Sequence, residues 1–123
     1  MGKGTILVVE DHPVNRELVL NLLEAAGYTV LQAEDGGGLL ERVKAERPDL
    51  IILDLQLPDV DGFTLARQLQ ADPMTKEIPI LAMSAYAQPK EQAQALAVGC
   101  AGFLTKPFDT RGLVQTVARV LGS

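Results

Sequence analysis

The sequence predicts an α/β fold in which helices cover both faces of a parallel sheet. Two observations support this prediction. Strand-like and helix-like segments alternate along the chain, and the strand-like segments are continuous aliphatic runs without polar alternation. Continuous apolar character is typical of strands that are buried on both faces. Since neighbouring parallel strands need crossover connections, the intervening helices fit the same arrangement. We therefore expect one three-layer domain built from five strand–helix units.

The first unit shows the pattern on which the others are based. Residues 5–9 are β-branched or aliphatic and too few for a helix. After Pro13, apolar residues recur at helical spacing from Val14 to Ala26, and Gly27 ends the pattern. The same analysis predicts the remaining strands at 28–33, 49–54, 78–83 and 101–105, and the remaining helices at 37–46, 62–71, 89–98 and 113–121.

The second helix has an unfavourable beginning. Gly37 and Gly38 stand in its predicted first turn. In a helix interior each glycine costs about 1 kcal/mol relative to alanine. The sequence therefore predicts that this helix begins late or frays at its N-terminus.

Composition and charge limit the classes of function. The chain has 123 residues and a net charge of −5, which disfavours direct nucleic-acid binding and favours a cation as ligand. No apolar run approaches the ~20 residues that a membrane-spanning helix needs, so we expect no membrane insertion and a cytoplasmic protein. Cys100 is the single cysteine, which excludes an internal disulfide and favours a buried apolar role. We expect residues 1–123 to form one domain without an output domain.

Polar residues follow four of the predicted strands. Glu10 and Asp11 come after the first strand, Asp54 ends the third, and Ser84 and Lys106 follow the fourth and fifth. The carboxyl ends of parallel strands meet at one edge of a sheet, where such folds bind ligands. Crowded carboxylates favour a hard cation such as Mg²⁺.

These residue types together suit the transfer of a phosphoryl group. A rigidly held Asp54 carboxylate can attack phosphorus, while Ser84 and Lys106 can bind phosphoryl oxygens. Each residue also has a simpler interpretation as a turn, cap or loop residue. A nucleotide-hydrolase loop is excluded, because Gly36-Gly37-Gly38 is followed by leucine and not by a lysine with serine or threonine.

Five motifs surround the polar residues at the strand ends: Val8-Val9-Glu10-Asp11, Leu53-Asp54-Leu55-Gln56-Leu57-Pro58, Asp61-Gly62, Met83-Ser84-Ala85 and Phe103-Leu104-Thr105-Lys106-Pro107-Phe108. In these motifs and their order the chain resembles the receiver domain of bacterial two-component response regulators. The resemblance spans essentially the whole chain and implies the flavodoxin-like strand order 2-1-3-4-5.

The resemblance implies an acceptor and a metal site. Asp54 would accept a phosphoryl group from a phosphohistidine of a histidine kinase or a histidine phosphotransfer protein. Mg²⁺, for which Mn²⁺ is expected to substitute, would be held by Glu10, Asp11, Asp54 and the backbone carbonyl of Gln56.

The resemblance also implies a switch. Ser84 and Lys106 would bind the phosphoryl oxygens, and Ser84 and Phe103 would move on phosphorylation. Their movement would remodel the face formed by the fourth helix, fifth strand and fifth helix, which would control a downstream target protein. The Lys106-Pro107 bond is expected to be cis, and a homodimer formed on phosphorylation is a further expectation. From the residues alone, Phe103 is better explained as ordinary core.

Three alternatives accompany this interpretation. A phosphatase or phosphotransferase of the haloacid-dehalogenase type also uses an aspartate nucleophile with Mg²⁺, but it carries a second aspartate where this chain has Gln56 and needs room for a cap domain. The same residues would be found in a receiver module of a hybrid kinase or longer regulator. A pseudo-receiver would bind partners without phosphorylation. In the leading interpretation the chain is not an enzyme, although it would catalyse its own phosphotransfer and dephosphorylation.

Overall fold

The computed structural model describes residues 3–85, 88–106 and 110–122. Strands and helices alternate throughout, which confirms the five predicted strand–helix units. They are β1 Thr5–Val9, α1 Pro13–Ala25, β2 Thr29–Ala33, α2 Leu39–Glu46, β3 Leu50–Asp54, α3 Gly62–Ala71, β4 Ile80–Ser84, α4 Pro89–Ala97, β5 Gly102–Thr105 and α5 Thr110–Leu121. Within the described ranges, no helix combines the length and apolar character needed to cross a membrane.

The five strands form one parallel sheet in the order β2-β1-β3-β4-β5. The chain first moves outward from β1 to β2, then returns past β1 to β3 and continues in the other direction. The strand order therefore reverses between β1 and β3, where two adjacent crossovers lead away to opposite sides. The flavodoxin-like order implied by the resemblance is confirmed.

The core lies on both faces of the sheet. Successive strand residues point to opposite faces, so each strand contributes to two apolar clusters. One cluster packs against α1 and α5 and takes Ile6, Val8, Leu50, Ile52, Leu81 and Met83 from the strands. The other packs against α2, α3 and α4 and takes Leu7, Val9, Ile51, Leu53, Ile80 and Ala82. Because both faces are covered, these strand residues are fully buried.

Several element boundaries differ from the sequence predictions. β4 begins at Ile80, two residues later than predicted, and extends to Ser84. Pro79 has no N–H group to donate, although its carbonyl accepts a hydrogen bond from the Ile51 amide at 3.0 Å. α2 begins at Leu39, and Gly38 precedes it in the left-handed conformation with φ 66°. The late start of α2 agrees with the prediction from the two glycines.

Candidate functional site

The acidic pair lies directly after β1. Glu10 is completely buried, and its amide donates a hydrogen bond to the carbonyl of Ala33 on β2 at 3.0 Å. Asp11 follows with its Oδ1 atom buried and without a hydrogen-bond partner among the described residues. The nearest basic atom, His12 Nδ1, lies 3.4 Å away, which is too long for a good hydrogen bond. A buried carboxylate oxygen is thus left without a donor.

Asp54 is the last residue of β3 and is also completely buried. Its Oδ1 accepts a hydrogen bond from the Gln56 amide at 2.9 Å, and its Oδ2 lies 2.9 Å from Lys106 Nζ. The same ammonium lies 3.1 Å and 2.9 Å from the two carboxylate oxygens of Glu10. Lys106 therefore connects acidic residues from the ends of β1 and β3, as the convergence of the strand ends predicts.

Burial and hydrogen bonding determine the ionisation of these groups. Burial raises the pKa of Glu10, and the neighbouring Asp54 adds to this effect. Burial would also raise the pKa of Asp54, but the Glu10 carboxyl, the Gln56 amide and Lys106 outweigh it and lower that pKa. For Lys106, contacts with both carboxylates outweigh burial and raise the pKa. Asp54 is therefore held as a carboxylate beside a protonated lysine.

The Ser84 hydroxyl is linked to this group through Gln56. The Gln56 Nε2 atom donates to Ser84 Oγ at 2.8 Å, and Ser84 Oγ lies 3.1 Å from Gln56 Oε1. The same amide accepts from the Ala85 backbone N–H at 3.4 Å. Gln56 thus contacts Asp54 through its backbone and Ser84 through its side chain. The sequence analysis assigned Gln56 a role at the site only through its backbone carbonyl, and no sequence pattern reveals the side-chain contact.

The loop after Asp54 is closed by Gly62 at the start of α3. The Gly62 amide donates to the Leu55 carbonyl at 3.2 Å, and a Cβ atom on Gly62 would lie 2.5 Å from Leu55 Cα and 2.8 Å from the Asp54 carbonyl oxygen. Only glycine permits this approach. Asp61 completes the closure, since its side chain accepts from the Phe63 amide and caps α3. The loop that presents the Gln56 amide to Asp54 is therefore tightly placed.

The donor set fits a hard divalent cation. One ligand atom from each of Glu10, Asp11, His12 and Asp54 can be chosen so that all lie within 4.8 Å of one another. Carboxylate oxygens are the ligands that Mg²⁺ prefers, and the unpartnered Asp11 Oδ1 is a buried atom that such a cation would satisfy. Three of these residues were predicted as metal ligands, whereas His12, an exposed residue directly before α1, was not among them.

Phe103 is the other residue that was predicted to move on phosphorylation. Phe103 is half-buried in β5, pairs in register with Ala82 and packs on the cluster that faces α2, α3 and α4. The expected cis bond at Pro107 lies outside the described residues.

A cavity of about 560 Å³ between α2 and α3 is lined by Leu39, Leu65 and their neighbours, and it includes none of the acidic residues described above.

Arg16 is a basic residue at this edge that sequence analysis did not identify. It lies on α1, and its Nη1 donates to the carbonyl oxygen of Glu10 at 2.9 Å. An arginine on an amphipathic helix is normally read as solvated, so its spacing carries no signal for this contact.

Several known proteins are similar to the chain in sequence. The model of the response regulator receiver domain matches residues 6–118. The polar-differentiation response regulator DivK of Brucella anthropi is 31% identical over 118 residues, which cover 96% of each chain. The phosphate regulon regulatory protein PhoB of Pseudomonas aeruginosa is 40% identical over 121 residues, which cover 98% of this chain and 52% of PhoB. The chain thus spans about half of PhoB.

A solved structure gives the same result. The receiver domain of the sensor histidine kinase PA1611 from Pseudomonas aeruginosa PAO1, with a magnesium ion coordinated in its active-site cleft, superposes with a TM-score of 0.88 at 32% identity and covers 98% of both chains. Phosphorylation and magnesium binding are typical of such domains, which are not a classical enzyme family. The chain belongs to the response regulator receiver domain family.

Proposed function

We propose that the chain is the phosphoacceptor of a two-component phosphorelay and that Asp54 is the residue that is phosphorylated. The observation that carries the proposal is the buried Asp54 carboxylate, held between the Gln56 amide and the Lys106 ammonium. An ionised, rigidly placed carboxylate is a competent nucleophile. As it attacks, a P–O bond to Asp54 forms while the P–N bond of a partner's phosphohistidine breaks, and the imidazole leaves with the electron pair.

A divalent cation completes the proposed site. Glu10, Asp11, Asp54 and the backbone carbonyl of Gln56 would hold Mg²⁺ or Mn²⁺, which supplies positive charge to the phosphoryl oxygens. The unpartnered Asp11 Oδ1 supports this assignment, as does the magnesium ion in the PA1611 receiver. Lys106 would give up a carboxylate contact to bind a phosphoryl oxygen.

The proposed output is a change of surface. The Ser84 hydroxyl, now bonded to Gln56, would turn to a phosphoryl oxygen, and Phe103 would move with it. Both residues border the face formed by α4, β5 and α5, which would then select a downstream target protein or a second copy of the chain. The phosphoryl donor would be a histidine kinase or a histidine phosphotransfer protein. The cytoplasmic location and the single-domain extent of 1–123 stay predictions.

Acetyl phosphate tests the acceptor directly. Wild-type protein incubated with acetyl phosphate and Mg²⁺ should gain one phosphoryl group by intact mass, and Asp54→Asn should gain none. Asp59→Asn is the matched control, because Asp59 is an exposed aspartate in the loop that follows Asp54. Labelling of Asp54→Asn would place the acceptor elsewhere. Folded wild-type protein that binds Mg²⁺ but gains no mass would leave only a partner-binding module.

Thermal unfolding tests the metal site. Millimolar Mg²⁺ should raise the melting temperature of the wild type, because the cation binds the folded state preferentially. The increase should be smaller for Asp11→Asn, which lacks one of the proposed ligands. Identical melting curves with and without Mg²⁺ would remove the metal from the proposal.

A further inference from the structure

The guanidinium of Arg16 is bound to the backbone that carries the acidic pair. Its Nη1 donates to the Glu10 carbonyl oxygen at 2.9 Å and lies 3.5 Å from the Asp11 carbonyl oxygen. The Arg16 side chain is only 13% exposed, although it belongs to a helix at the surface. A guanidinium covered to this extent donates its hydrogen bonds to protein acceptors and not to water.

The other donors of Arg16 reach β2. Its Nε donates to the Gln32 side-chain oxygen at 3.1 Å, and its Nη2 lies 3.6 Å from a carboxylate oxygen of Glu34. The guanidinium therefore occupies the corner between the ends of β1 and β2 and the first turns of α1. A planar fork with five N–H donors can hold several acceptors in a fixed relation, which a lysine cannot do.

We propose that Arg16 is a positioning residue of the metal site and that it sets the direction of the Glu10 and Asp11 side chains. The inference rests on the proposed function, because it assigns Arg16 a role toward the cation. The direction of a side chain follows from the peptide units on either side of it. By holding the carbonyls of residues 10 and 11, Arg16 keeps Glu10 turned toward Lys106 and Asp11 available to the cation.

Charge and positioning have opposite effects on metal affinity. A guanidinium close to a cation site repels Mg²⁺, so removal of its charge by itself would tighten binding. Loss of the guanidinium hydrogen bonds would instead allow the Glu10 and Asp11 carboxylates to move apart, which would weaken Mg²⁺ binding. The sign of the change in affinity therefore distinguishes the two roles.

Isothermal titration calorimetry with Mg²⁺ on Arg16→Lys and Arg16→Gln is the decisive experiment. Both variants should bind Mg²⁺ about 10-fold more weakly than the wild type, in line with the effect of removing residues that orient metal ligands. An unchanged affinity for Arg16→Lys with a tighter affinity for Arg16→Gln would overturn the inference in favour of a charge effect. If Arg16→Gln does not fold, Arg16→Lys decides alone.

Arg42 offers a matched control at the same strand. It donates to the Gln32 carbonyl and pairs with Glu46 at 2.8 Å, and these hydrogen bonds do not involve Glu10 or Asp11. Arg42→Lys and Arg42→Gln should keep the wild-type affinity. In metal-free protein, the amide resonances of Glu10 and Asp11 should shift in the Arg16 variants and not in the Arg42 variants.

The outcomes separate this inference from the proposed function. A wild type that binds no Mg²⁺ would overturn the metal site and the inference together. A wild type that binds Mg²⁺, with unchanged affinity and unchanged Glu10 and Asp11 resonances in both Arg16 variants, would overturn the inference alone.

Discussion

Two lysine–aspartate pairs join different parts of this molecule at nearly equal distances. Lys106 Nζ lies 2.9 Å from Asp54 Oδ2 at the carboxyl edge of the sheet, and Lys44 Nζ lies 2.8 Å from Asp72 Oδ2, between α2 and the end of α3. The side chains of the first pair are 14% and 1% exposed, and those of the second are 30% and 18% exposed. Lys106 also forms an ion pair with a second buried carboxylate, that of Glu10. The two pairs have similar geometry but different surroundings.

Burial, more than distance, decides what such a pair does. Water can replace either partner of the Lys44–Asp72 pair, so the loss of one partner costs little. Water cannot replace Lys106 at the carboxyl edge of the sheet. Two buried carboxylates, those of Glu10 and Asp54, depend there on this one ammonium. A buried pair of this kind is weak evidence for stability, but its disruption is costly because an uncompensated charge remains. The carboxylates at this edge therefore depend on positive charge, which Lys106 supplies and a bound cation would add to.

Lys106→Met should produce the largest effect. Removing the ammonium leaves Glu10 and Asp54 buried without a counter-charge, and we expect the free energy of unfolding of the metal-free protein to fall by about 3–5 kcal/mol near neutral pH. Urea denaturation measures this loss, and added Mg²⁺ should restore part of it. Lys90→Met on the exposed surface of α4 is the control. Equal losses for the two variants would show that Lys106 does not compensate the buried acids.

Ile52→Val should have an intermediate effect and calibrate the apolar interior. Ile52 is fully buried in the cluster that faces α1 and α5. Loss of one methylene should lower the free energy of unfolding by about 1 kcal/mol. Urea denaturation should show the same loss with and without Mg²⁺, because the Ile52 side chain has no polar atom that a cation could bind. A loss that depends on Mg²⁺ would mean that packing and the metal site are coupled.

Asp72→Asn should have the smallest effect, and that effect should depend on pH. Lys44 and the Met74 amide lower the pKa of Asp72 from its ordinary value of 3.8. A lowered folded-state pKa contributes stability above pH 3.8, and the contribution is lost as the pH falls through the folded-state value. The urea midpoints of wild type and Asp72→Asn should therefore differ near neutral pH and converge in acid.

Lys44→Met removes the other partner of the same pair. Its urea midpoint should also approach the wild-type value in acid, because the protonated Asp72 no longer attracts Lys44. If neither variant's urea midpoint approached that of the wild type in acid, the Lys44–Asp72 pair would contribute nothing to the stability of the folded state.

The sequence predicted the elements because their signals are local. Continuous apolar runs predicted the buried strands, and Gly37 and Gly38 predicted the late start of α2. The predicted start of β4 was two residues too early. A strand begins where its backbone forms hydrogen bonds with the neighbouring strand, and residue propensities do not contain that information. The strand order came from the resemblance, since alternation alone predicts a parallel sheet but not which strands are neighbours.

The candidate site was predicted in part. Glu10, Asp54, Ser84 and Lys106 could be chosen from the sequence because each ends or directly follows a strand, and parallel strands end at one edge. The side chains that connect them could not. The Gln56 amide bonded to Ser84 and the Arg16 guanidinium bonded to the Glu10 carbonyl depend on the positions of elements distant in the chain.

The sequence by itself determined the alternation of buried strands and amphipathic helices and the kinds of chemical group that follow the strands, because both are properties of short segments. The tertiary structure decided how burial divides the charges: one lysine lies buried between two carboxylates at the edge, and a similar pair is left partly exposed between α2 and α3. Desolvation is the physical reason, since the energy of a charge depends on everything packed around it and no local pattern records those neighbours.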